Sequence, residues 1–140
     1  MKHSISEEDL EFKRQVESCE FPISDFSHRA HLRLAYVYLS EGDTDTSVEQ
    51  MRESLSRLIQ HHGVPSSKFH ETLTKAWILA VHHFMNNTVS SDSADELIDQ
   101  HPEMLDTKIM LTHYSAETLF SEMAREEFVQ PDLDPIPRHK

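Results

Sequence analysis

Glycine is nearly missing from this chain, with two among 140 residues. Alternating β-branched runs are also scarce. Together these exclude a turn-rich sheet protein and point to helices joined by short connections. Cysteine occurs once, as Cys19. No disulfide can close within the chain, and a reducing cytoplasm is the expected compartment, with Cys19 a buried thiol. Basic residues are outnumbered, 13 against 25 acidic, for a net charge of −12. That balance argues against nucleic acid as a partner, because phosphates demand basic patches. It argues equally against an anionic membrane surface. No apolar run approaches the ~20 residues of a membrane-crossing helix. The opening M-K-H-S-I-S-E-E-D lacks the apolar stretch of a secretory leader. The length fits one domain with a core that needs no staples.

Apolar periodicity then lays out an all-α protein: an up-down helical bundle of about four main helices, with additional short C-terminal helices and an extended proline-bearing tail. The helical domain is expected over residues 1–130 and the tail over 131–140. Ser6 caps a first helix over 6–19, with Leu10, Phe12 and Val16 on its apolar face. The second, about 27–40, contains Tyr36-Val37-Tyr38, which alone would pass for a strand, but the periodic run around it is long. The third, about 45–62, lines up Val48, Met51, Leu55, Leu58, Ile59 and His62. Gly63 suits the left-handed position that closes it, and Pro65 stops its continuation. The fourth, about 67–86, is expected to start from a cap at Ser66 or Ser67. Its stripe of Phe69, Leu73, Ala76, Trp77, Ala80, Val81 and Phe84 makes it the core helix, with Trp77 at the centre. Ser93 and Glu96 form a capping box for a short helix over 94–100. Further helices are expected over 103–112 and 116–128, the last with Leu119, Phe120 and Met123 inward.

Eleven histidines stand out against this background. His3, His101 and His139 read as solvated, and His82 and His83 as helix C-terminal charges. The rest gather. In an up-down bundle, the starts of the second and fourth helices and the end of the third meet at one end. That brings together His28, His31, His61, His62, His70 and Glu71, with Tyr38 on the face of His28 and His31. His113 and Tyr114 can join from the C-terminal half. His28 and His31 are three apart, so they face the same way on a helix and can share a metal with His70 as third ligand. Glu71 would be a fourth ligand or, with His70, the base in catalysis. Imidazole and carboxylate suit a divalent Zn, Fe, Mn or Ni ion. The same residues without a metal would make a pocket at converging helix N-termini for a small-molecule ligand, anionic in character, with Thr74 and Arg29 contributing. A third reading is structural: the histidines pack and hydrogen-bond, and the domain is an interaction module.

Four segments carry a resemblance: F-S-H-R-A-H-L-R-L-A-Y-V-Y-L, K-F-H-E-T-L-T-K-A-W, L-T-H-Y-S and V-Q-P-D-L-D-P-I-P. In these the chain resembles a family of small bacterial helical proteins sharing H-x-x-H-L, K-x-H-E-T-L-T and H-Y-S motifs, over most of residues 21–137. The resemblance brings no activity with it. It implies a bacterial, soluble, single-domain protein. It marks His28, His31, His70, Glu71, Thr72, Thr74, His113 and Tyr114 as the polar positions within the motifs.

Overall fold

The computed structural model describes residues 2–65 and 69–137. The cap expected at Ser66 or Ser67, and the solvated His139, lie outside the described residues.

The chain folds as an all-α bundle. Side-chain caps set most helix starts. Ser6, Ser27 and Asp43 accept from the backbone N–H groups of Asp9, Ala30 and Thr46 at the heads of α1 (Glu7–Glu17), α2 (His28–Glu41) and α3 (Thr44–His61). The head of α4 (Glu71–Asn86) differs from expectation. His70, not a serine, is its cap, and the helix begins four residues later than the predicted 67. The imidazole Nδ1 accepts from Leu73 N–H at 3.1 Å, doing what an asparagine side chain does at this position.

Two helices end in the same six-to-one and five-to-two hydrogen-bonded turn. At the end of α3, Val64 N–H reaches the Ile59 carbonyl at 2.8 Å and Gly63, at φ +72°, reaches Gln60. At the end of α1, Glu20 N–H reaches Gln15 at 2.9 Å and Cys19 takes the glycine's place at φ +65°. The Cys19 side chain is buried and faces the Arg57 carbonyl of α3.

The second helix is the most enclosed. Its run from Leu34 to Leu39 is buried on every side, because α1, α3, α4 and α5 (Ala94–Gln100) all pack on it. Two tyrosine hydroxyls find partners inside this core. Tyr36 donates to the Ser4 carbonyl at 2.7 Å, and Tyr38 donates to Glu17 at 2.8 Å and meets Ser54 at 2.6 Å. The fourth helix is nearly as enclosed, and Trp77 is 3 % exposed. On α3 the expected stripe holds at Val48, Met51 and Leu58, while His62 is exposed. On α1, Phe12 and Val16 are buried but Leu10 is 46 % exposed.

The polar stretch after α4 is not a free loop. Ser90–Ser91 (β2) pairs in parallel with Lys2–His3 (β1). His3, expected to be solvated, donates from Nε2 to the Met85 carbonyl at 2.8 Å and meets Ser91 Oγ at 2.6 Å. His101 is also engaged, through Nε2 to Thr88 Oγ1 at 2.6 Å.

Beyond α5, capped by Ser93 as expected, the C-terminal third is shorter-stepped than predicted. The helix expected over 103–112 is two 3-10 turns, Pro102–Leu105 and Thr107–Thr112, parted at Asp106, whose side chain accepts from Lys108 N–H. The helix expected over 116–128 is split into α6 (Ala116–Leu119) and α7 (Glu122–Glu126). Ser121 causes the break. Its hydroxyl accepts from Ala124 N–H, offering the backbone a new start in place of continuation. Leu119 points inward as expected, but Phe120 and Met123 are 57 % and 60 % exposed.

The described part of the tail, 131–137, lies along the body. The H-Y-S joint holds it: Leu133 N–H reaches the His113 carbonyl, His113 Nδ1 donates to the Asp134 carbonyl at 2.7 Å, and Asp132 accepts from Ser115 and Thr118. Tyr114, fully buried, donates to the Val129 carbonyl at 2.6 Å. Ile136 closes the tail into the core. Among the described residues, no helix is long and apolar enough to cross a membrane.

Candidate functional site

The H-x-x-H pair of α2 does what its spacing promises. His28 and His31 both line a cavity of about 410 Å³ that opens on one side of the bundle. Leu73 and Trp77 of α4 form the facing wall. The C-terminal segment completes it with Thr107, Lys108, Leu111, Leu119 and Phe120. The lining is predominantly apolar and partly aromatic, with a few polar groups, the combination typical of small-molecule sites.

The histidines play unequal parts. His28 Nε2 donates to the Met104 carbonyl at 2.9 Å, and its ring stands edge-on to Trp77 at 4.5 Å. It therefore fixes the first 3-10 turn of the C-terminal wall against α2. His70 fixes the other wall. Its Nδ1 is committed to the helix cap, so the proton sits on Nε2, which donates to the Leu119 carbonyl at 2.8 Å. Burial holds its pKa below the usual histidine value. With both nitrogens engaged and the residue 8 % exposed, His70 stands behind the cavity wall.

His31 is the unattached member. Its Nε2 is buried and has no hydrogen-bond partner. Burial, with a smaller contribution from the His28 charge, pushes its pKa down to about 4. At neutral pH it is an uncharged imidazole with an unmet polar atom, which a native fold leaves so only with a reason.

The other expected site residues are placed elsewhere. Glu71 turns to α3, where Arg52 grips both carboxylate oxygens at 2.8 and 2.5 Å. That pair lines a separate, wider cavity with Asp45, Glu49, Lys75 and Glu126. Thr74 is buried and donates to the His70 carbonyl at 2.8 Å. Thr72 donates to the Glu127 carbonyl and accepts from Val129 N–H, tying the chain after α7 to α4. Tyr38 is in the core, and His113 and Tyr114 hold the tail. Arg29, expected at an anion pocket, is paired with Asp95 at 2.9 Å. His61 and His62 are exposed, pack against each other at 5.1 Å and line neither of these cavities.

The expected metal ligands are thus separated. His28 and His31 share a cavity, His70 has no nitrogen left to give, and Glu71 faces another side. Among the described residues, no group of three or more His, Cys, Asp or Glu side chains is placed to hold a metal ion.

Sequence reasoning found one side of this cavity and missed the other. Thr107, Lys108 and Leu111 carry no local signal, because their place depends on how the short turns after α5 fold back on α2 and α4. No protein-family model, curated protein or solved structure matches the chain. The bacterial origin read from the motif resemblance has no support in these comparisons.

Proposed function

We propose that this chain is a binding protein for a flat, mostly apolar small molecule that carries one hydrogen-bonding group for His31. The observation that supports it most is the buried, unpartnered Nε2 of His31, a residue that lines a mostly apolar cavity. A turn of the ring that brings Nε2 to the cavity surface would let a ligand hydroxyl satisfy it whichever tautomer the ring takes, since a hydroxyl both donates and accepts. Trp77, His28 and Phe120 give the walls aromatic faces and edges suited to a planar body. Binding suits the site better than proton transfer. A histidine held near pKa 4 is a weak base at neutral pH, some distance from the matched value that general-base catalysis favours.

The test uses 2-naphthol, a neutral two-ring molecule with one hydroxyl. Titration should quench or shift the fluorescence of Trp77, the single tryptophan, and move the ring resonances of His31. The variant His31→Leu keeps the cavity apolar and should weaken binding about tenfold, the worth of one buried hydrogen bond. Absence of saturable binding, or resonance changes that map to the Arg52–Glu71 side instead, would overturn the reading.

A further inference from the structure

The rim of the His31 cavity differs from its interior in one respect. Lys108 lines it from an exposed position at the second 3-10 turn, and makes no ion pair among the described residues. The other residues lining the cavity are the two histidines, a threonine and hydrocarbon or aromatic side chains. In a chain of net charge −12, an unpaired lysine at the mouth of an apolar cavity is a local exception to the prevailing field. Phe120, 57 % exposed, and Leu111, 39 % exposed, share that mouth and leave apolar surface facing water.

We propose that the ligand is an aromatic hydroxy acid, held with its hydroxyl on His31 and its carboxylate at Lys108. This rests on the binding reading above and adds the class of molecule. The orientation follows from the cost of burying charge. A carboxylate placed against neutral His31 would sit among mostly apolar walls without a counter-charge, far more costly than placing a hydroxyl there. A hydroxyl costs little there and satisfies Nε2. At the rim, the carboxylate keeps part of its water and gains the ammonium. The aromatic body between them covers Trp77 and the exposed face of Phe120.

The experiment compares 2-naphthol with 6-hydroxy-2-naphthoate, which adds a carboxylate at the far end of the same ring system. The acid should bind about fivefold more tightly at low salt, the scale of one exposed ion pair, and the gain should shrink as salt is raised. Lys108→Gln should abolish that gain, read as the ratio of acid to 2-naphthol affinity within the variant. 2-Naphthoate, which lacks the hydroxyl, should bind about tenfold more weakly than the hydroxy acid in the wild type and no more weakly in His31→Leu. If 2-naphthol binds and the acid gains nothing, or gains equally in Lys108→Gln, the acid assignment fails and the binding reading stands. If proton uptake accompanies binding of the acid and His31 becomes charged, the carboxylate lies at His31 and the proposed orientation is wrong. If neither compound binds, both the reading and the assignment fall.

Discussion

The Nε2 proton of His70 is given to the carbonyl oxygen of Leu119, 49 residues further along the chain, at 2.8 Å. The same ring accepts from Leu73 N–H through Nδ1. One side chain therefore starts α4 and fastens a wall of the cavity, and its chemistry is used up by structure.

Removing it should be costly for stability and indirect for binding. His70→Ala loses a helix cap and leaves a carbonyl without its donor, a loss of about 2–3 kcal/mol. His70→Asn restores the cap and should recover about 1 kcal/mol of that. Urea unfolding followed by Trp77 fluorescence measures both. Equal losses in the two variants would mean that the cap contributes nothing.

His31 makes stability depend on pH in a defined window. Its folded pKa is held at about 4, below the 6.5 of an unfolded histidine. The unfolded chain thus binds more protons between those values, and stability rises with pH across them. The contribution is complete above pH 6.5 and is lost progressively as pH falls from there to about 4, up to about 3 kcal/mol over the full span. His70, also held down by burial, acts in the same direction. Stability of His31→Leu measured from pH 4 to 7 should show a flatter slope than the wild type. Parallel curves would place the titration elsewhere.

The Arg52–Glu71 pair predicts an asymmetry. The Glu71 side chain is 11 % exposed and that of Arg52 is 45 % exposed. Arg52→Ala strands a mostly buried carboxylate and should cost about 2 kcal/mol, less than a fully buried pair because the guanidinium is half in water. Glu71→Gln should cost about 1 kcal/mol, since the amide still accepts from Arg52. The double variant should be more stable than Arg52→Ala alone. Additive losses in a double-mutant cycle would show that the two residues are uncoupled.

Two left-handed positions invite a matched comparison. At Gly63 a methyl group meets nothing within 4 Å, so Gly63→Ala isolates the backbone cost of φ +72°, about 1 kcal/mol. At Cys19 the reverse change, to glycine, relieves a similar strain but gives up a buried side chain worth about 1 kcal/mol. Cys19→Gly should therefore lie within about 0.5 kcal/mol of the wild type. A large loss there would show that the Cys19 thiol contributes more than its buried area.

Local signals were the ones that could be read. Ser6, Ser27 and Ser93 announce helix starts because a cap acts within three residues of itself. Gly63 and Pro65 marked the end of α3 for the same reason. His70 carries no such signal, because histidine is rare as a cap, although its Nδ1 offers the needed acceptor. The H-x-x-H spacing placed His28 and His31 on one face. It could not show that Leu119 would take the His70 proton and that Arg52 would turn Glu71 away, since both partners come from distant segments. The breaks at Asp106 and Ser121 were hidden by apolar periodicity that short turns imitate. The C-terminal wall of the cavity was illegible for that reason.

The hydrogen bonds that fasten the C-terminal side of the cavity reach back 76 residues from Met104 to His28 and 49 from Leu119 to His70. A growing polypeptide leaving the ribosome can assemble α1 to α4 from contacts nearer in sequence, while the cavity waits for the final third of the chain. Such distant closures come late and slowly in folding. Until they form, Trp77 and Leu73 face solvent on that side, and a ligand present during synthesis would meet a surface where the finished protein offers an enclosure.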